Sequence, residues 1–460
     1  MGKYQAYTEY TASNATWLDK YPSHWRLTQV KYGYQVVLGK MLQKSPKSSI
    51  DSLKPYLKAQ NIQPKGVDTS RVDSMWFSPE ELHKLRLQKG DVLVSEGGDV
   101  GRSAIWNNEL AECYIQNAIN RVRPLGQNCS RYFNYWIYSL KSSDFINILC
   151  NKATIAHYTA EKLEASPLLL PSSVEQTQIA NFLDHETAKI DTLIEKQQQL
   201  IKLLKEKRQA VISHAVTKGL NPQAPMKDSG VEWLGEVPEH WEVTRLKYDC
   251  SEIVDCPHST PQYSDDGVYP AIRTADIHVG FLDVDKARRV TENVYHQRNL
   301  RLAPKPGDII YSREGERYGI GALVPENTNV CLAQRVMLFR AKDTSEFLMW
   351  AINSQAVYKQ AQQDVIGATA PHVNVVTIKN FSLAWPPKEE REEISNHIRS
   401  VTSSMDELIL VAGKKMGLLQ ERRTALISAA VTGKIDVRNW QAPGVQHAVS
   451  VHEPPLEAMA

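Results

Sequence analysis

The sequence lacks the features that would place it in a membrane or outside the cell. Its 460 residues contain no apolar stretch near the roughly 20 residues that a membrane-spanning helix needs, and the opening residues MGKYQAYTEY lack the apolar core of a secretory signal. The six cysteines are scattered, and the absence of any C-x-x-C pair excludes zinc-finger spacing. We therefore expect a cytoplasmic protein without disulfides or a bound metal.

Signatures of catalysis are also missing. The sequence contains no phosphate-binding G-x-x-x-x-G-K-[ST], no G-x-S-x-G and no H-E-x-x-H. GIGALV at 319–324 lacks the third glycine of a dinucleotide-binding turn. The proline pair in WPPK at 385–388 follows Ala384 and Trp385, and not the polar residue found in DNA amino-methyltransferases, so it is predicted to open a helix. We expect no catalytic residues and no cofactor in this chain.

An excess of charge is lacking as well. The 54 Lys and Arg residues nearly balance 52 Asp and Glu, which leaves a formal net charge of +2. A nucleic-acid-binding face would therefore have to come from local clustering of cations. With 42% hydrophobic residues, the chain can bury two or three ordinary cores.

What the sequence does contain is a long internal repeat. WLDKYPSHWRLTQVKY at 17–32 and WLGEVPEHWEVTRLKY at 233–248 share two tryptophans, a proline and a histidine in one register. Further pairs follow in the same order: PYLKAQNI (55–62) with PAIRTADI (270–277), KGDVLVSEGG (89–98) with KPGDIIYSREG (305–315), Gln116 with Gln334, and ATIAH (153–157) with ATAPH (368–372). A unit of about 215 residues thus occurs twice, as copy one and copy two. The alternative is an old duplication without mechanistic meaning.

The first part of each copy has a mixed α and β pattern. DVLVS at 91–95 and DIIYS at 308–312 are short, apolar and β-branched, which is typical of strands. Residues 130–140 and 346–354 have apolar side chains at helical spacing and are predicted to be core helices.

The second part of each copy is a long helix. Residues 172–216 contain neither glycine nor proline; Ser172 or Ser173 can cap the start, Glu175 lies in the first turn, and Gly219 ends the helix. The second helix follows Pro387 and extends to Gly433. Each would span roughly 65 Å. The apolar stripes are predicted to pair as an internal coiled coil, with pairing between two chains as the alternative. The stripe residues of the first helix are Ile179, Leu183, Ile190, Leu193, Ile194, Leu200, Ile201, Leu204, Val211 and Ile212.

These segments together resemble the specificity subunit of type I restriction-modification enzymes. The resemblance covers about residues 15–437, and its main motifs are the helix sequence at 170–220, VPEHWEVTRLKY at 237–248, DCPHSTP at 255–261 and GDIIYSREG at 307–315. One departure is the run Pro387-Lys388-Glu389-Glu390-Arg391, where the family commonly has a Glu-Gln pair, and it leaves the helix assignment intact.

The resemblance implies a fold and an arrangement of domains. We predict an α+β protein with two tandem target-recognition domains, each followed by a long helix, and with the helices paired as an antiparallel coiled coil of pseudo-twofold symmetry. The predicted segments are recognition domain 1 (1–170), spacer helix 1 (171–217), a linker (218–232), recognition domain 2 (233–385), spacer helix 2 (386–433) and a C-terminal tail (434–460).

The resemblance also implies a non-catalytic function and a set of partners. Each recognition domain would read one half of a split site in double-stranded DNA, and the helices would set the spacer between the halves. Two methylation subunits and two restriction subunits would dock on this chain. Those partners would use S-adenosylmethionine, ATP and Mg²⁺, whereas this chain would bind no cofactor.

Candidate DNA-binding residues follow from the polar turns of each copy. Arginine can bind guanine bidentately, glutamate can accept from cytosine, and glycine lets a turn approach closely. The candidates in copy one are Ser95, Glu96, Gly97, Gly98, Arg102, Gln116, Asn117, Thr154 and His157. The candidates in copy two are His258, Ser259, Thr260, Ser312, Arg313, Glu314, Gly315, Arg317, Tyr318, Gln334, Arg335, Thr369 and His372.

Other interpretations stay open at this point. His157 and His372 could be packed structural residues, and Trp25 and Trp241 are predicted to be core residues. The chain could also be a coiled-coil scaffold unrelated to DNA, which would account for the helices but not for two elaborate domains. A stand-alone restriction enzyme would need nuclease and methyltransferase motifs that the sequence does not show.

Overall fold

The computed structural model describes residues 4–13, 15, 17–150, 157–365 and 371–442, which form two compact units. The first unit contains residues up to 196 together with those from 415 onward, and the second contains residues 197–414. Each unit therefore holds one recognition region and one half of each long helix. Within the described residues, no helix is both long enough and apolar enough to cross a membrane.

Copy one has its strands ahead of its long helix. The strands are Tyr10–Ala12 (β1), Lys20–Pro22 (β2), Arg26–Gln29 (β3), Tyr34–Leu38 (β4), Ser52–Leu57 (β5), Ile62–Gln63 (β6), Gly66–Val67 (β7), Asp73–Phe77 (β8), Val92–Ser95 (β9), Ser103–Ile105 (β10), Tyr114–Ile115 (β11), Ile119–Pro124 (β12) and Pro167–Leu170 (β13). The helices are Pro79–Leu85 (α1), Ser130–Ser142 (α2), Phe145–Cys150 (α3), Ala160–Ala165 (α4) and Ser173–Lys218 (α5).

Copy two repeats this order. Its strands are Met226–Asp228 (β14), Glu236–Pro238 (β15), Glu242–Arg245 (β16), Cys250–Asp255 (β17), Tyr269–Ile272 (β18), Ile277–His278 (β19), Phe281–Leu282 (β20), Arg289–Val290 (β21), Ile309–Ser312 (β22), Ile320–Leu323 (β23), Cys331–Leu332 (β24), Val336–Ala341 (β25) and Ser382–Trp385 (β26). Its helices are Leu246–Asp249 (α6), Glu292–Arg298 (α7), Ser345–Ile352 (α8), Gln355–Gln363 (α9), Val375–Lys379 (α10) and Lys388–Val431 (α11).

The central sheets of the two copies have the same topology. The strand order is β10-β9-β12-β4 in the first unit and β23-β22-β25-β17 in the second, with antiparallel neighbours throughout. All four residues of β9 and of β22 are buried, as expected for short β-branched strands inside a sheet that is covered on both faces. The predicted core helices are confirmed as α2 and α8, which bury Trp136 and Trp350.

The strand register corrects one pairing made from sequence. Ile115 pairs with Leu57 as Leu332 pairs with Ile272, and the equivalent strands β12 and β25 begin at Ile119 and Val336. Gln334 is therefore the counterpart of Asn117, and Arg335 is the counterpart of Ala118. The alignment of Gln116 with Gln334 was wrong by one residue, because an isolated glutamine in a turn does not fix a register.

The long helices begin and end where the sequence places their signals. The Ser172 hydroxyl accepts the amide of Glu175 at 3.2 Å, which caps the start of α5. Gly219 and Gly433 follow the two helices with φ of +74° and +73°, a conformation that favours glycine and turns the chain away.

The two long helices pack antiparallel within each unit. In the first unit, Ile179 and Leu183 of α5 share a core with Ile427 and Val431 of α11, and Arg423 donates to Asp191 at 2.9 Å. In the second unit, the other ends of the helices meet, because Ile212 shares a core with Ile394 and Ile398. The predicted α+β class and antiparallel helix pairing are confirmed.

The seam of α5, which is the face of this helix that packs against α11, is narrower than the apolar stripe in its sequence. Residues at alternating spacings of four and three are buried or half-buried: 190, 194, 197, 201, 204, 208, 211 and 215. Leu193 and Leu200 lie one residue away from seam positions and are each 42% exposed. Their assignment to the buried stripe was wrong, because a single partner helix covers only the two seam positions of each heptad.

Candidate functional site

The candidate residues of copy one lie around the turn that follows β9. Ser95 is buried, and its hydroxyl donates to the carbonyl of Gly97 at 2.7 Å. The Glu96 amide donates to the carbonyl of Ala118 at 2.9 Å, and the Glu96 carbonyl accepts the amide of Tyr158 at 2.9 Å. These backbone bonds bring the β9 turn, the Gln116–Asn117 turn and His157 to one edge of the sheet.

Glu96 has an unused acceptor in this turn. Its Oε2 atom is buried and has no hydrogen-bond partner among the described residues. Burial raises the pKa of the Glu96 carboxyl, and the nearby His157 imidazole acts in the opposite direction. Gly98, with φ of +72°, carries the exposed tip of the turn and has open space where a side chain would be. This turn can therefore approach a ligand with its backbone and present one acceptor.

Copy two has an ionic network in the equivalent place. The Arg313 amide donates to the carbonyl of Arg335 at 3.1 Å, so Arg313 is the counterpart of Glu96. Its guanidinium is largely buried, donates to Glu314 at 2.5 Å and lies 3.7 Å from Asp255. His258 contacts the other oxygen of Asp255 at 3.2 Å. The same position in the turn is therefore acidic in copy one and basic in copy two.

Arg335 extends from this network into solvent. Its side chain is 51% exposed, and its Nε lies 3.7 Å from the Glu314 carboxylate. Its φ of +70° is uncommon for a residue with a side chain and is retained because surrounding contacts fix the turn. A half-exposed guanidinium that is oriented by a neighbouring carboxylate is suited to bidentate recognition of a planar acceptor.

The remaining candidates of copy two join the same neighbourhood. Thr260 donates to Gln334 at 2.8 Å, and the Gly315 amide donates to the carbonyl of Pro371 at 2.8 Å. Arg298 is buried and holds the loop before β18 by donating to Ser259. Ser312 lies buried at the end of β22, and its hydroxyl has no hydrogen-bond partner among the described residues. The backbones of Glu314 and His372 form an isolated antiparallel β-bridge.

Three candidates have structural partners in addition to their predicted role. Arg102 donates to the carbonyl of Ala59, and Arg317 donates to the carbonyl of Ala275. Each arginine thereby fastens its turn to a one-turn 3-10 helix, which is Ala59–Asn61 in copy one and Thr274–Asp276 in copy two. Tyr318 stacks on Tyr358, with ring centroids 5.5 Å apart. Thr154 and Thr369 lie outside the described residues.

Sequence reasoning missed a carboxylate that fastens each long helix to its recognition region. Glu175 is 5% exposed and accepts from Tyr7 Oη at 2.7 Å, Trp25 Nε1 at 3.0 Å and His24 Nε2 at 3.0 Å. The sequence predicts only that Glu175 lies in the first turn of the helix, where an acidic side chain is favoured by the helix dipole. The sequence feature that could have revealed this contact is that the His-Trp pair and a glutamate about 150 residues after it occur in both copies.

Copy two contains the same carboxylate contact with fewer donors. Glu390 accepts from Trp241 Nε1 at 3.0 Å and from His240 Nε2 at 2.9 Å. The following residue differs between the copies. Gln176 donates to Asn128 and to the carbonyl of Pro171, whereas Arg391 pairs with Asp343 at 2.6 Å. The departure from the family's Glu-Gln pair therefore changes the local partner but keeps the contact to tryptophan.

Comparison with known families identifies this arrangement. The family model described as the type I restriction modification DNA specificity domain matches residues 39–203 and again residues 238–409, once in each copy. The chain belongs to the type I restriction-modification specificity family. The two matched segments include the candidate turns of both copies, about two thirds of α5 and half of α11.

Curated relatives resemble this specificity chain over nearly its full length. The specificity subunit of type I restriction enzyme MjaVIII from Methanocaldococcus jannaschii is 26% identical over 436 residues, which is 91% of this chain and 94% of the relative. The EcoKI specificity subunit of Escherichia coli K12 is 22% identical and covers 92% and 91% of the two chains.

A solved structure shares the fold of this specificity chain. It comes from a study of complex assembly and conformational transition in a type I restriction-modification system, with a TM-score of 0.65 at 14% identity. The similarity covers 90% of this chain and 99% of the other. The predicted family and fold are therefore confirmed.

Proposed function

We propose that this chain is the non-catalytic DNA-recognition subunit of a type I restriction-modification complex, in which each unit reads one half of a split site. The observation that carries the proposal is the repeated turn at one sheet edge. The backbone bonds of Glu96 and Arg313 are equivalent, yet the side chains have opposite charge. A shared frame with unlike polar groups suits two different half-sites.

The proposed division of labour leaves chemistry to partner subunits. Two methylation subunits and two restriction subunits would dock on the chain and use S-adenosylmethionine, ATP and Mg²⁺. The long helices would set the spacer between the half-sites. We place the complex in the cytoplasm, where the bacterial or archaeal chromosome is accessible.

The decisive experiment is methylome sequencing of cells that carry the whole system. We expect one methylated motif made of two defined segments separated by unspecified bases. Binding of the full chain with its methylation subunit to duplexes should show the same motif in protection assays. Binding that is independent of sequence at every salt concentration would contradict the proposal.

Arg335 provides a residue-level prediction for the half-site of copy two. Replacing Arg335 with alanine should reduce preference for a guanine at one position by about 5- to 150-fold, because a bidentate arginine–guanine contact contributes about 1–3 kcal/mol of discrimination. Arg335→Lys should keep the charge but lose most of the preference. The measurement is competition binding with duplexes randomised at single positions of the half-site.

The matched control for Arg335 is Lys286→Ala, which removes a cation whose side chain is 83% exposed in the same unit. Lys286→Ala should leave base preferences unchanged. A loss of affinity that is equal for all bases in Arg335→Ala would show that Arg335 contacts phosphate and does not read a base.

The exposed leucines of the helix pair offer a docking face for the methylation subunit. In the second unit, Leu203, Leu410 and Val411 are 61%, 57% and 54% exposed. The double variant Leu203→Ser, Leu410→Ser should weaken association with the methylation subunit by about tenfold or more, since exposed apolar anchors dominate such interfaces. Analytical ultracentrifugation of the mixture measures this. Lys202→Ser is the control, and equal binding by both variants would rule out this face.

A further inference from the structure

A second polar site lies in the first unit, on residues that the recognition turn does not use. A cavity of about 700 Å³ lies between the central sheet and the end of α1. Its lining includes the cationic side chains Lys84, Arg86, Arg121 and Arg123 together with His83. No predicted DNA-reading residue in the described part of the chain lines it.

Arg123 is already neutralised by a buried acid. Its Nε and Nη2 atoms donate to the two oxygens of Asp91 at 2.6 and 2.7 Å, and Asp91 is 1% exposed. Copy two contains the same pair, because Arg340 donates to both oxygens of Asp308 at 2.9 and 2.7 Å. This bidentate pair therefore belongs to the fold that both copies share, and it supplies no free charge to the cavity.

Arg121 forms no hydrogen bond or ion pair with a carboxylate among the described residues. It is 3% exposed, and its Nη1 atom donates to the carbonyl of Lys84 at 2.7 Å. Its Nη2 atom donates to the amide oxygen of Gln35 at 3.4 Å, and Nε has no partner among the described residues. Burial, followed by repulsion from Arg123, lowers the pKa of the Arg121 guanidinium. The Asp91 carboxylate acts in the opposite direction, but it is already bonded to Arg123. Because arginine stays charged in proteins, the buried positive charge of Arg121 is only partly compensated.

Arg86 adds a second cation to the cavity. Its side chain is exposed and forms no hydrogen bond or ion pair in the part of the chain that the structure describes. Of the described carboxylates, only that of Glu112 lines the cavity, and it accepts from Lys54 and from the Tyr114 hydroxyl, both at 2.6 Å. Hydrogen bonds from Lys54 and Tyr114, and then the charges of Lys54 and Arg86, lower the pKa of the Glu112 carboxyl. The lining therefore carries more positive charge than its own acids offset.

Copy two shows that the fold does not need these two cations. Arg121 lies between Leu93 and Val37 in the sheet, and the residue with the same register in copy two is Leu338. Arg123 donates to the carbonyl of Arg86 as Arg340 donates to the carbonyl of Ala303. Leucine and alanine thus occupy the equivalent places, and copy one has two extra arginines on one cavity.

We propose that this cavity is an anion site that binds a phosphoryl group through Arg121 and Arg86. Guanidinium groups match the oxygens of a phosphoryl group in geometry and charge, and a bound anion would compensate the buried cation. The group could come from a phosphodiester of bound DNA or from a free phosphate compound. Only the DNA source rests on the proposed function.

The first arm of the test uses inorganic phosphate and the full chain. Thermal unfolding is followed as phosphate replaces chloride at constant ionic strength. The wild-type Tm should rise with phosphate concentration, whereas Arg86→Ala should need at least tenfold more phosphate for the same rise. Arg121→Leu introduces the residue of copy two and should abolish the rise. Since Arg86 is exposed, its variant keeps the test valid even when Arg121→Leu fails to fold.

The second arm identifies the source of the phosphoryl group. An unrelated duplex is titrated at several salt concentrations. When a DNA phosphate occupies the site, Arg86→Ala should make the negative slope of log K against log salt shallower by about 0.9. An unchanged slope together with a lost phosphate response indicates a free phosphate compound. Lys286→Ala controls for general loss of charge in the phosphate series.

The outcomes separate this site from the proposed function. The site is disproved when neither phosphate nor the duplex distinguishes Arg86→Ala from the wild-type chain. Failure of the wild-type complex to prefer any bipartite duplex would instead refute the proposed function, and the phosphate series would still report on the cavity.

Discussion

Exchanging residues 33–152 for the same segment of another family member should replace one half of the methylated motif and leave the other half intact. The segment contains the β9 turn and the Gln116–Asn117 turn but ends before Thr154, His157 and α5. It therefore carries most of the candidate base contacts of copy one and none of those of copy two. The His24–Trp25 contact to Glu175 lies outside the exchanged segment and would continue to hold the new domain on its helix.

Methylome sequencing of the exchanged system measures this result directly. A companion variant lengthens both long helices by one heptad, and it should lengthen the spacer while both half-sites stay the same. An insertion of seven residues keeps the buried seam positions in register, because these positions repeat every 3.5 residues on average. A change in both half-sites after the domain exchange alone would contradict independent reading by the two units.

Replacing Glu175 with alanine should destabilise the first unit more than any other single change at the helix starts. The variant leaves the Tyr7 hydroxyl and the Trp25 indole without an acceptor, and these residues are 5% and 4% exposed. A buried donor without a partner costs about 1–3 kcal/mol, so we expect a loss of about 2–5 kcal/mol. Glu390→Ala should cost about 1–3 kcal/mol, because Trp241 is buried while the His240 side chain is 52% exposed.

Urea unfolding followed by tryptophan fluorescence measures both losses. Glu389→Ala is the matched control, since Glu389 is the exposed neighbour of Glu390 in the first turn of α11. The control should change stability by only a few tenths of a kcal/mol through the helix dipole. Equal effects of Glu389→Ala and Glu390→Ala would disprove the structural role assigned to the carboxylate.

Much of the fold could be predicted because its signals are local or repeated. The tryptophan motifs at 17–32 and 233–248 revealed the duplication, and an uninterrupted helical pattern with Ser172 before it and Gly219 after it placed the first long helix. Strand β9 and strand β22 followed from short β-branched runs. These features depend on backbone preferences and on burial of one face, which are both visible in sequence.

The contacts that could not be predicted from the sequence depend on which distant side chains the fold brings together. The role of Glu175 requires Trp25, which is 150 residues away. The network of Asp255, Arg313 and Glu314 combines strand ends that sequence spacing does not connect. The exposure of Leu193 could not be read from hydrophobicity, because a leucine one residue away from the seam looks the same in sequence as a leucine on it.

The interruption of the first unit in sequence has a consequence for synthesis on the ribosome. Residues 197–414 form the second unit without interruption, whereas the first unit needs residues 415–442 as well as those before 197. Ile427, Val431 and Ile435 belong to the core that also contains Trp25 and Ile179. The region translated first must therefore wait for the last helix before its core is complete, and a nascent chain that stalls before residue 415 would expose apolar surface of the first unit to chaperones and proteases.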